Sequence, residues 1–132
     1  MPGADDLVEL FYAAYNAHDA ATAATLYVED GWHEEVNAGR RRHGRDAIAE
    51  GLDRLFAMMP DIAWQPGTRI RAGSSMLVLY TMTARLTADI GPFRGRGQVV
   101  TLTGAHAFEL TAGGLAGTRD YWDMADFARQ AA

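Results

Sequence analysis

The stretch GQVVTLTGAHAFEL, running from Gly97 to Leu110, alternates with a period of two. Val100, Leu102, Gly104, His106, Phe108 and Leu110 fall on one side of such a chain, and Thr101, Thr103 and Glu109 on the other. This is the pattern of a strand with one face against a core. Similar composition, rich in Val, Leu, Thr and aromatic residues, marks residues 62–71, 76–88 and 115–123. The separators are Gly-containing turns at Ala72-Gly73-Ser74-Ser75, Gly91-Pro92 and Ala112-Gly113-Gly114. The second half of the chain is therefore predicted to be an antiparallel meander.

The first half has a different period. Leu7, Val8, Leu10, Phe11, Ala14 and Tyr15 lie on one side at helical spacing, with Asp5 and Asp6 at the end where the helix dipole favours negative charge. A turn at Asn16-Ala17-His18-Asp19 follows, and Asp19 caps a short alanine-rich helix that ends near Leu26-Tyr27. Trp32 to Val36 reads as a short strand and Asn37 to Gly44 as a polar loop. Asp46 is placed as the cap of a third helix, which presents Ile48, Leu52, Leu55, Phe56 and Met59 on one face and stops at Pro60. Helices followed by a run of strands predict an α+β layer fold: three N-terminal helices on one face of a curved, mostly antiparallel sheet. Residues 1–132 are read as a single domain, with no repeat, linker or low-complexity segment.

Composition narrows the function. With 12 basic and 17 acidic residues, a formal charge of −5, the overall field opposes nucleic acid and anionic lipid. Cysteine is absent, which rules out a disulfide framework, a thiolate nucleophile and cysteine-ligated metal. The acidic start MPGADDLVEL lacks a signal-peptide pattern, and no apolar run reaches the about 18 residues that cross a bilayer. A cytoplasmic protein that binds neither nucleic acid nor membrane is expected.

The last strand carries RDYWD, Arg119 to Asp123. Asp120 shares a face with Thr118 and Trp122, while Arg119, Tyr121 and Asp123 share the other. If the Asp120 face meets the core, a carboxylate and the His106 imidazole meet on neighbouring strands in an apolar cavity, a combination suited to proton transfer. The plainer alternative pairs Asp120 with Arg119 or Arg85 at a sheet edge, and reads His106 as a satisfied core histidine. Asp123 is assigned as the cap of a final helix beginning near Met124.

These elements, the phrases Tyr12-Ala13-Ala14-Tyr15-Asn16-Ala17-His18-Asp19, Gly44-Arg45-Asp46-Ala47-Ile48 and Met59-Pro60-Asp61, and the ending RDYWD…Gln130 together resemble the SnoaL-like polyketide cyclases. These belong to the nuclear transport factor 2-like superfamily, which includes ketosteroid isomerase and limonene epoxide hydrolase. The resemblance runs from about Asp6 to Gln130 and implies a cone-shaped α+β barrel. It also implies that Asp120 removes a proton α to a carbonyl, while His106, fourteen residues earlier, hydrogen-bonds the developing enolate during an intramolecular aldol closure. Neither metal nor organic cofactor is implied. Burial is expected to raise the Asp120 pKa toward working pH.

Other members of the superfamily are matched less completely. Limonene epoxide hydrolase is similar at RDYWD, but the places of its arginine and second aspartate hold Thr83 and Arg85. Ketosteroid isomerase places a base where Glu35 stands and a tyrosine where Phe11 stands; Tyr12 or Tyr15 substitutes only if the helix register differs. Glu35 remains a candidate second acid or base, and an isomerase or epoxide-opening reaction is the competing enzymatic reading. A non-catalytic binding or dimerisation module is the competing reading of another class.

His33 and Glu35 alternate onto one face and read as polar cavity lining rather than as metal ligands. Trp32, Trp64, Trp122, Phe11, Tyr15, Tyr80, Met58, Phe93 and Arg85 complete the set from which a pocket for a flat, hydrophobic small-molecule substrate is expected, with most of the aromatic residues read as core. Arg40, Arg41, Arg42 and Arg45 form a basic cluster, read as a solvated loop with steering of an anionic substrate as the sharper alternative. Gly95-Arg96-Gly97 opens no helix after a strand and is not a phosphate loop. The resemblance further implies a homodimer through the exposed sheet face, with Thr101, Thr103, Ala105 and Tyr121 contributing.

Overall fold

A computed structural model describes residues 3–132. The order of elements is α1 (Ala4–Asn16), α2 (Ala20–Thr25), β1 (Tyr27–Glu35), β2 (Arg40–His43), α3 (Arg45–Met58), β3 (Ala63–Ala72), β4 (Ser75–Arg85), β5 (Val99–Thr111), β6 (Gly114–Trp122) and α4 (Met124–Ala131). The six strands form one sheet in the order β2-β1-β6-β5-β4-β3. The sheet is curved and does not close on itself, so β2 and β3 are its edges. The predicted meander β3-β4-β5-β6 is antiparallel throughout, and β1 joins it by pairing parallel to β6.

Alternation decides which side of this sheet is core. Along β4, Met76, Val78, Tyr80, Met82 and Ala84 are buried. Along β5 the buried set is Val100, Leu102, His106, Phe108 and Leu110, the predicted inner face of GQVVTLTGAHAFEL. The helices bury these side chains. In α1 the inward residues are Leu7, Val8, Phe11, Tyr12, Ala14 and Tyr15. Leu10, expected inside, is 45% exposed and Tyr12 takes its place. Each residue of a helix turns by about 100°, so a two-position error in choosing the stripe moves a side chain from core to rim.

Local signals fix most boundaries. The Asp19 carboxylate accepts from Thr22 N at 3.1 Å and caps α2 as predicted. Asp123 likewise accepts from Ala125 N and Asp126 N at the start of α4. Asp46 does not cap α3. That helix begins at Arg45 after Gly44, whose φ of 88° lies in the left-handed region. Asp46 instead sits in the first turn, where its charge faces the helix dipole. The expected polar loop contains β2, four residues with no apolar member, which pairs antiparallel to β1 with Glu35 opposite Arg40. A charged edge strand carries little hydrophobic signal and forms through its partner. Strand β1 also begins earlier than expected, at Tyr27, because Val28-Glu29-Asp30-Gly31 shifts register against β6 and hides the alternation.

Candidate active site

A single transverse row of the sheet carries the chemistry. Across the strands, Val78 of β4 is registered with His106 of β5, His106 with Asp120 of β6, Asp120 with Glu35 of β1, and Glu35 with Arg40 of β2. All of these side chains share the inner face. A neighbouring row sets Thr118 beside His33, and His33 beside Arg42.

Asp120 is 8% exposed and opens into a cavity of about 410 Å³ between the sheet, α3 and α4. That volume suits a small organic molecule. The walls include Leu52, Leu55 and Met58 of α3, Met59 just after it, Trp64 of β3, Met82 of β4 and Phe127 of α4. Tyr15, Tyr80, His33, Glu35 and Trp122 also reach the cavity. Asn16 positions Trp64: its side-chain amide bonds both the N–H and the carbonyl of that residue, at 2.8 and 2.9 Å.

The Asp120 carboxylate is held on two sides. Tyr80 donates its hydroxyl to Oδ1 at 2.6 Å. This reach depends on Gly104, which is registered between Tyr80 and Trp122, because the tyrosine ring occupies the space that a Cβ at Gly104 would fill. Oδ2 faces His106 Nε2 at 3.6 Å. Behind it, His106 Nδ1 lies 2.8 Å from the Tyr12 hydroxyl, which donates to the neutral Nε2–H tautomer and accepts from a protonated ring. Burial pushes the Asp120 carboxyl up, but the charge of His106 and the Tyr80 hydroxyl outweigh it and hold the group below its ordinary value. Burial alone predicts a raised pKa, and the partners of the carboxylate reverse that expectation. The same burial raises the phenols: Tyr27 is pushed up to about 12, and Tyr12, Tyr15 and Tyr80 well above their ordinary value. All four keep their protons at neutral pH.

A second polar chain runs through the wall behind the cavity and reaches it at Tyr15, His33, Glu35 and Trp122. Tyr15 and Tyr27 hydroxyls are 3.2 Å apart, Tyr27 and Thr118 2.7 Å, and Thr118 Oγ1 and His33 Nδ1 2.7 Å. His33 Nε2 then meets Glu35 Oε1 at 3.1 Å, and Trp122 Nε1 donates to Glu35 Oε2 at 3.1 Å. Among the described residues, no group of three or more His, Cys, Asp or Glu side chains is arranged to hold a metal ion.

Several expected lining residues lie elsewhere. Arg85 points from the outer face of β4, with Asp61 3.6 Å away, and Thr83 shares that outer face. Arg119 is also outside, 3.6 Å from Glu109, so neither arginine pairs with Asp120. Trp32 alternates with His33 onto the outer face, where its ring stacks between the guanidinium groups of Arg41 and Arg119, 4.0 and 4.5 Å away. Phe11 is fully buried behind the site, stacked on Tyr15 with centroids 3.8 Å apart and edge-on to His106. His106, 1% exposed, is enclosed by Phe11, Tyr12, Tyr80 and Phe108 and does not face the cavity. Its polar contacts are with Asp120 and Tyr12. Tyr27 and Thr118 are site-forming residues that the sequence does not single out, though Thr118 shares the face of Asp120, and Tyr12 enters there only as a conditional substitute for a tyrosine at the place of Phe11. Arg40 and Arg42 also line the cavity.

Helices packed on a curved, unclosed mixed sheet are the arrangement of the ketosteroid isomerase-like fold. The chain belongs to the SnoaL-like domain family, which it matches over residues 8–123. Its fold is shared by a candidate polyketide cyclase from Pseudomonas putida KT2440, with a TM-score of 0.85, 25% identity and full coverage of both chains. A candidate SnoaL-like polyketide cyclase from Shewanella putrefaciens CN-32 superposes with a TM-score of 0.86 at 19% identity, covering 98% of this chain and 96% of the other. A ketosteroid isomerase-like protein from Catenulispora acidiphila, solved in complex with trimethylamine, gives a TM-score of 0.83 at 17% identity, covering 96% and 92%.

Proposed function

We propose that this protein is a cofactor-independent polyketide cyclase that closes a ring by intramolecular aldol addition on a hydrophobic, carbonyl-rich small molecule. The observation that carries the reading is Asp120, a buried carboxylate kept ionised at the wall of an apolar cavity. Asp120 takes a proton from the carbon α to one carbonyl, and that C–H bond breaks to leave an enolate. The enolate carbon attacks a second carbonyl of the same molecule, a C–C bond forms, and the resulting alkoxide recovers the proton from Asp120. Tyr15, whose hydroxyl keeps its proton, supports the enolate oxygen. His106 and Tyr80 act as positioning residues through their contacts with Asp120.

Turnover of a methyl-ester anthraquinone-type polyketide tests this assignment. Asp120→Asn is expected to lose about 10²–10⁴-fold in rate, the usual contribution of a general base. Undiminished turnover in a folded Asp120→Asn protein would falsify the role. The hydrogen-bonded His33–Glu35 pair in the same cavity favours a second reading, an isomerase or epoxide-opening cyclase. That reaction depends on Glu35, so Glu35→Gln rather than Asp120→Asn would abolish it.

The enzyme is further proposed to work in the cytoplasm as a homodimer. Leu79 and Tyr121, 44% and 42% exposed, are brought into register with Ala105 on the outer sheet face and supply an apolar centre for a second copy.

A further inference from the structure

Half of the twelve arginines have an Asp or Glu partner. Arg41 pairs with Glu34, Arg54 with Glu50, Arg69 with Asp5 and Glu9, Arg85 with Asp61, Arg119 with Glu109 and Arg129 with Asp126. Arg40 and Arg42 have none within 4.0 Å among the described residues. They are two apart on β2, so both project to the inner face, and both line the cavity that Asp120 opens into. Arg41, between them, turns outward onto Trp32.

Arg42 has a seat built for it. It is half-buried against α3, where Gly51 occupies an interior helical position at a cost in helix propensity. A Cβ at Gly51 would lie 2.6 Å from Arg42 Nε and 2.8 Å from Cδ. The missing side chain is what lets the arginine stem lie along the helix. The guanidinium makes one long hydrogen bond, 3.5 Å to the Ala47 carbonyl, and its other N–H groups have no acceptor among the described residues. A half-buried guanidinium fork with unused donors is suited to bidentate capture of an anion.

We infer that Arg42, with Arg40 beside it, forms an anion subsite at the β2–α3 rim, and that the molecule bound in the cavity carries a carboxylate at the end remote from its reacting carbonyl. The subsite gives the ligand one orientation: apolar body against Leu52, Leu55 and Met58, carbonyl end toward Asp120, carboxylate on Arg42. It also explains how a protein of charge −5 admits an acid into a cavity that already holds Asp120 and Glu35. This inference rests on the cavity being a small-molecule site but not on the reaction performed there.

Equilibrium binding of anthraquinone-2-carboxylate and of its methyl ester, followed by fluorescence quenching, tests the subsite without turnover. The wild type is expected to bind the acid about tenfold more tightly than the ester in low salt, with the preference shrinking as salt screens the pair. Arg42→Gln removes the preference, so that acid and ester bind alike. Gly51→Ala, which favours the helix and so preserves the fold, weakens the preference by displacing the guanidinium. Arg41→Gln, on the outer face, leaves it intact. Equal affinity of the wild type for acid and ester, or a preference that survives Arg42→Gln, overturns the inference. Because no catalysis is read, loss of the subsite and loss of the Asp120 role are separate results.

Discussion

The carboxylate of Asp120 shows how partners outvote burial. Desolvation pushes its pKa up, yet His106 and the Tyr80 hydroxyl favour the charged form more strongly. A carboxyl whose folded pKa is depressed contributes stability that is complete above its unfolded value of about 3.9 and is lost as pH falls through the folded value. Denaturant unfolding is therefore expected to show a loss of stability below about pH 4 that is smaller in Asp120→Asn. An identical acid profile in both proteins would exclude a depressed Asp120. Strand periodicity put His106 on the apolar face with Val100, Leu102 and Phe108 and set Asp120 apart from Arg119, but which face of the last strand looks inward needed the structure. Tyr12 was not legible in that way. It lies next to Phe11 in sequence, and only the docking of α1 on the sheet turns its hydroxyl onto His106.

Elements transmit this arrangement through the absence of side chains as much as through their presence. Tyr80 on β4 reaches across β5 to a carboxylate on β6 only because Gly104 intervenes. Gly104→Ala is expected to push the Tyr80 ring away, so that the folded protein loses turnover while ligand affinity stays near that of the wild type. Retention of full turnover would show that the Tyr80 contact is dispensable. In the sequence this glycine is one position in an alternating run, and its purpose needs the register of three strands to be seen. The short strand β2 was hidden for a related reason. Its residues, Arg40 to His43, take strand form by pairing with β1, and nothing in their composition announces it. The caps of α2 and α4, by contrast, depend on a carboxylate next to its own helix and could be read directly.

At the scale of the whole molecule, the two faces of the sheet divide the work. The inner face and its helices enclose the acid–base cavity. The outer face exposes Ile70, Leu79, Val99 and Tyr121. Light scattering is expected to report twice the 14.4 kDa chain mass, and Leu79→Glu to restore the single-chain value. A wild-type protein that scatters as one chain at all concentrations would contradict the dimer. The order of elements and the family were legible from the sequence because helices, then strands, with an Arg-Asp-aromatic ending form a pattern spread over nearly the whole chain. The occupant of the cavity was not, since it depends on how side chains from both edges of the sheet converge. The central claim is that Asp120 removes a carbon-bound proton, and the most direct measurement is deuterium uptake at the α carbon of the methyl-ester polyketide in D₂O, read by mass spectrometry. Wild type and Glu35→Gln are predicted to exchange it, with the rate falling about 10²-fold or more in Asp120→Asn; exchange at the wild-type rate in Asp120→Asn would contradict the account.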